Sequence, residues 1–131
     1  MNVGLDTSVV MRLLIGKPPA QTAAAVAFLD DLQRRGDRAV ISDLVISEAY
    51  FALQFHFKVP KAEALSALAS MLSTGEISAT GQAGKVLTQP ALATAKPGFV
   101  DRLIHASYIA AEGTMATFEK SAAKLPKVTV L

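Results

Sequence analysis

The sequence predicts an α/β fold: a mostly parallel sheet with helices on both faces. Three observations predict it. Short apolar runs alternate with stretches of helical periodicity from end to end, as strand–helix–strand repeats require. Ala, Leu and Val dominate the apolar residues, with 6% aromatics and no Trp, which suits helices packed closely on a sheet. The length, 131 residues at 51% hydrophobic content, is one domain (1–131) with a sizeable core.

Each element follows from local signals. Asn2 to Leu5 is a short buried strand. Val9, Val10, Leu13 and Leu14 then repeat at helical spacing, and Thr7 or Ser8 is placed to cap that helix. Gly16-Lys17-Pro18-Pro19 stops it. Gln21 to Leu32 is a second helix, closed by Arg34-Arg35-Gly36-Asp37, and Ala39-Val40-Ile41 is the second strand. Ser42-Asp43 caps a third helix. Pro60 stands in the first turn of a fourth, which runs through Leu72, and this helical hairpin is expected to project beyond the sheet. Glu76-Ile77-Ser78 is a short strand. In Gly81 to Ala95 the helical pattern is weak, with Gly84 and Pro90 interrupting it. Pro97-Gly98 opens the helix Phe99 to Ala111. Thr114 to Phe118 is a strand, Ser121 to Lys124 a helical turn, and Val128 to Leu131 the last strand.

Composition narrows the function. With no cysteine, disulfides, thiolate zinc sites and a Cys nucleophile are excluded, and a reducing compartment fits. The net charge of +2 permits an anionic partner without demanding one. Asp6 and Arg12 break the N-terminal apolar stretch, making it a poor signal peptide, and no apolar run reaches the ~18 residues of a membrane span. A soluble cytoplasmic protein is expected.

Four acids stand among apolar neighbours. Asp6 ends Val3-Gly4-Leu5, Glu48 sits in Val45-Ile46-Ser47-Glu48-Ala49, Asp101 in Phe99-Val100-Asp101-Arg102-Leu103, and Glu119 follows Ala116-Thr117-Phe118. Carboxylates in such surroundings cost folding free energy unless their charge is compensated, and a divalent cation compensates several at once. In open α/β sheets, ligands bind beyond the carboxyl ends of the strands. If the first and fourth strands are neighbours, Asp6 and Glu119 meet there. Hard oxygen donors with few histidines indicate Mg²⁺ or Mn²⁺ rather than zinc. Such an ion activates water, orients a phosphodiester and neutralises charge building in its hydrolysis. Glu48 or Asp101 could also take the proton of the attacking water.

These segments resemble the motifs of PIN-domain nucleases. Leu5-Asp6-Thr7-Ser8-Val9-Val10 is similar to the opening motif, Ile41-Ser42-Asp43-Leu44-Val45-Ile46-Ser47-Glu48-Ala49 to the second, Phe99-Val100-Asp101-Arg102-Leu103-Ile104-His105-Ala106 to the third, and Thr117-Phe118-Glu119-Lys120 to the fourth. Length and motif order look most like VapC-type toxins of toxin–antitoxin pairs. The resemblance implies a three-layer α/β/α fold with a five-stranded sheet in order 3-2-1-4-5. It implies Mg²⁺- or Mn²⁺-dependent cleavage of RNA, a homodimer, and a VapB-type antitoxin as partner. Asp6, Glu48 and Asp101 match the metal-binding acids; Thr7 or Ser8 and Thr117 match supporting hydroxyls. Glu119 stands where the pattern has Asp, one methylene longer. It is counted with the other three as a catalytic and metal-binding residue. Arg12, Arg102, His105 and Lys120 are candidate substrate contacts.

The alternative is a catalytically degenerate PIN module that binds RNA or a protein without cleavage, a reading that Glu119 keeps open. A phosphatase of the haloacid-dehalogenase type needs a second Asp two residues after the first, where this chain has Ser8. No Gly-x-Gly-x-x-Gly follows the first strand, against a dinucleotide site. Plainer roles are expected for other polar residues: Asp43 as a helix cap, His56 and the aromatics Tyr50, Phe51, Phe55 and Phe57 in packing, and Arg34, Arg35 and Arg38 at a solvated helix end.

Overall fold

The alternation of strand and helix is realised throughout the computed structural model, which describes residues 1–131. Strand β1 (Asn2–Gly4) leads into α1 (Thr7–Ile15), which ends at Gly16 in the left-handed region (φ 77°), open to glycine without a Cβ penalty. Helix α2 (Pro19–Arg35) starts on a proline, whose missing N–H costs nothing there, and ends at Gly36. Then come β2 (Arg38–Ile41), α3 (Asp43–Phe55), α4 (Lys61–Ser73) and β3 (Ile77–Ala79). The weakly patterned stretch contains a five-residue helix, α5 (Ala83–Leu87), and a 3-10 turn at Leu92–Thr94. Helix α6 (Phe99–Ala110), β4 (Met115–Thr117), a 3-10 turn (Lys120–Lys124) and β5 (Val128–Val130) complete the chain.

The α/β class with parallel strands holds, and the sheet departs from expectation in one respect. All pairings are parallel, but β3-β2-β1 form one ladder and β4-β5 another. No hydrogen-bonded pairing joins β1 to β4. Bonds run to the outer neighbours: Leu5 N–H donates to Val40 O, and Met115 N–H donates to Lys127 O. At the seam, β1 offers one apolar side chain, Val3, between Asn2 and Gly4, and β4 buries Met115 alone. So little apolar surface gives weak support to a non-local pairing.

Three smaller expectations change as well. The cap of α1 is Asp6, not Thr7 or Ser8. Pro60 precedes α4 rather than sitting in its first turn. The α3–α4 hairpin does not project: α3 packs on α1, and α4 lies against β3 and α5. The apolar positions of α3 explain this, since Ile46, Ala49, Tyr50 and Leu53 are all buried. They join Val10, Leu32, Ile41, Leu68 and Phe99 in one core cluster. Burying each large side chain contributes about 1.5–3 kcal/mol, ample to hold a 13-residue helix down.

Candidate metal and catalytic site

Asp6 follows β1 in extended conformation and caps α1. Its Oδ1 accepts from Ser8 Oγ (2.6 Å) and from Val9 N (3.2 Å). The Ser8 hydroxyl, and then the Val9 amide, hold this exposed carboxyl below the usual aspartate value. Thr7 begins the helix half-buried.

Glu48 lies exposed on α3. Two residues on, buried Tyr50 meets Phe99 edge-on, with ring centroids 5.0 Å apart. Phe99 opens α6, and Asp101 follows it within the first turn, where a carboxylate complements the helix dipole. This aromatic contact fixes the helix of Glu48 against the start of the helix of Asp101. Burial also pushes the Tyr50 hydroxyl up in pKa.

Asp101 and Glu119 line one cavity of about 190 Å³, with Thr117, Ile104 and Tyr108 among its walls. The extra methylene of Glu119 has a visible consequence. Its Oε1 reaches forward to accept from Ser121 N (3.1 Å) and Ser121 Oγ (2.8 Å), capping the 3-10 turn. Thr117 Oγ1 accepts from the Glu119 amide (3.0 Å). The Ser121 amide, then its hydroxyl, with a smaller contribution from the Lys96 ammonium, hold the Glu119 carboxyl below the usual glutamate range. Neither Ser121 nor Lys96 was singled out in the sequence. The Glu-x-Ser spacing is the signal that could have found the first; the second comes from a segment with no periodicity to read.

Of the four acids, the structure brings two to a common cavity. Nowhere do three or more carboxylate or imidazole groups gather as they would to hold a metal ion. The condition that would bring Asp6 to Glu119, neighbouring β1 and β4, is not met. The donors themselves are hard oxygens, ionised at neutral pH where their titration is shifted, and that chemistry fits Mg²⁺ or Mn²⁺.

The candidate substrate contacts divide among three places. Arg12 lines a cleft with Ser8 between α1 and α2, and its Nε donates to Gln21. Lys120 is exposed beside Glu119. Arg102 and His105 face a different cavity from the one Asp101 faces. Arg102 donates from Nε to Pro97 O (2.7 Å), and His105, 8% exposed, hydrogen-bonds through Nε2 to Pro126 O (2.8 Å). Asp43 caps a helix, but not its own: Ser42 caps α3, while the Asp43 carboxylate accepts from Gln82 N and Ala83 N, both at 3.0 Å. Arg34 and Arg35 pair with Asp31, and Arg35 also with Asp37, as at a solvated helix end.

A family model described as PIN domain matches residues 3–128. No curated protein and no solved structure matches the chain.

Proposed function

This chain belongs to the PIN domain family, a nuclease-type fold, and on that premise we propose that it is a Mg²⁺- or Mn²⁺-dependent endoribonuclease, the toxin of a toxin–antitoxin pair. The observation that carries the reading is the cavity shared by Asp101 and Glu119, with Thr117 Oγ1 accepting from the Glu119 amide at its wall. When bound, the cation supplies an activated water and neutralises charge on the phosphorane and leaving oxygen. Asp101, exposed at the mouth, takes the proton of the attacking water. Ser121 orients the Glu119 carboxylate and lowers its pKa further. Lys120 and Lys96 supply positive charge beside the acids for an RNA phosphate. Tyr108 and Phe118 are exposed aromatics next to the pair, which suits bases of single-stranded RNA. Asp6 and Glu48 join the site if β1 closes on β4.

A VapB-type antitoxin and a second copy of the chain are the proposed protein partners. Phe51 and Phe55, exposed and stacked with centroids 6.1 Å apart, supply apolar surface for such contacts. The cytoplasm is the proposed location; no helix is long and apolar enough to cross a membrane.

The test is cleavage of total bacterial RNA with Mn²⁺, against EDTA and Asp101→Asn controls. Discrete fragments requiring both metal and Asp101 are expected. A second reading, a degenerate module that binds RNA without cutting it, is favoured by two observations: no three acids gather as a metal site would need, and Glu119 is already engaged by Ser121. RNA binding without cleavage in Mn²⁺ by the folded wild-type protein would select it.

A further inference from the structure

A second cavity holds none of the four acids. It measures about 450 Å³ and lies between α5, α6 and the Leu125–Pro126 approach to β5. That size falls within the range of small-molecule sites. Its floor is aliphatic, from Val86, Ala106, Ile109 and Leu125. Two cations line it, Lys85 and Arg102, and no carboxylate does.

The state of Arg102 is informative. Its guanidinium is held by neutral acceptors: Pro97 O (2.7 Å), Gln89 Oε1 (3.3 Å) and Lys96 O (3.4 Å). These bonds fix the group but leave its charge unbalanced, for neither Arg102 nor Lys85 forms a salt bridge. A fixed, uncompensated cation above an aliphatic floor is complementary to an anion with an apolar body. A nucleic-acid base fits less well, because no Phe, Tyr or Trp lines the cavity and the one ring present, His105, is tied to Pro126 O.

We propose that this cavity binds a small amphipathic anion, its carboxylate or phosphate head between Lys85 and Arg102 and its aliphatic chain along the floor. The site is separate from the acids, none of which lines it, and it assigns Arg102 and His105 to this cavity rather than to an RNA substrate at the acids.

The test is isothermal titration of the full chain with decanoate, decyl phosphate and decyltrimethylammonium, each below its micelle concentration. Saturable one-site binding of an anion, with none of the cation, is expected; which anion binds more tightly identifies the head group. Lys85→Gln removes an exposed charge with no structural partner and should weaken binding about threefold. Ala110→Phe, at an exposed position on the cavity wall, should fill the space and abolish binding while leaving the circular dichroism spectrum unchanged. Equal binding of the cation, no binding of either anion, wild-type binding in both variants, or displacement by a short single-stranded RNA would each overturn the proposal.

Discussion

The junction of Asp43 with Gly81 sets the position of α5, and its energetics can be worked from the structure. The Asp43 carboxylate accepts from Gln82 N and Ala83 N at 3.0 Å each, reaching across 39 and 40 residues of chain. It rests on Gly81: a Cβ there would lie 2.6 Å from Asp43 Cγ and 2.7 Å from Oδ1, well inside van der Waals contact. Asp43→Ala removes two charge-assisted bonds, which together stabilise the fold by about 2 kcal/mol. For 131 residues at ~2.1 cal/mol/K each, 1 kcal/mol moves Tm by roughly 3.6 °C, so a fall of about 7 °C is expected. Gly81→Ala expels the carboxylate and should cost about as much. In the Asp43→Ala background the clash is gone. Gly81 does not need the left-handed conformation, so the same substitution becomes neutral or raises stability by about 0.5 kcal/mol through the unfolded chain. The assay is a double-mutant cycle by urea unfolding. A coupling of about 2 kcal/mol is expected, and additivity within about 0.5 kcal/mol would refute the contact.

Other outcomes follow from the same geometry. Loss of a residue that merely supports a metal ligand costs 10–100-fold, so Asp101→Asn should lower Mn²⁺-dependent RNA cleavage by more than about 100-fold while Tm falls by no more than about 4 °C, the helix-dipole contribution; retained activity sinks the role of the cavity pair. Ser8→Ala should raise the Asp6 pKa toward 3.8, and Ser121→Ala should raise that of Glu119 by a smaller part, since the Ser121 amide remains, as followed by carboxyl NMR titration; unmoved values would remove the two hydroxyls as causes. Both native values are depressed, so the stability they contribute is complete above the unfolded values of 3.8 and 4.5 and is lost as pH falls through the lower folded values. Tm attributable to these groups should therefore be flat from pH 7 to about 5 and drop only below about 4, and a fall already at pH 6 would contradict this. Phe99→Ala, which removes a fully buried ring and its contact with Tyr50, should cost about 3–5 kcal/mol by chemical denaturation, whereas a loss under 1 kcal/mol would mean that α3 and α6 are held by other means.

Most elements were legible because their causes are local. The 3.6-residue spacing of Val9, Val10, Leu13 and Leu14, the stops at Gly16 and Gly36, and the Asp101 position in a first turn all depend on residues a few places apart. The types of the four acids, and so the kind of cation they suit, were also fixed by sequence. The side to which Asp43 turns its carboxylate, the engagement of Glu119 by Ser121, and the division of α6 between Asp101 on one cavity and Arg102 and His105 on another were decided by tertiary structure. So was the interrupted pairing between β1 and β4, on which the convergence of Asp6 with Glu119 depends. Periodicity and capping act over a few residues and leave a trace in the sequence. The pairing of two three-residue strands more than a hundred residues apart depends on the balance of packing across the whole domain, and no local pattern records it.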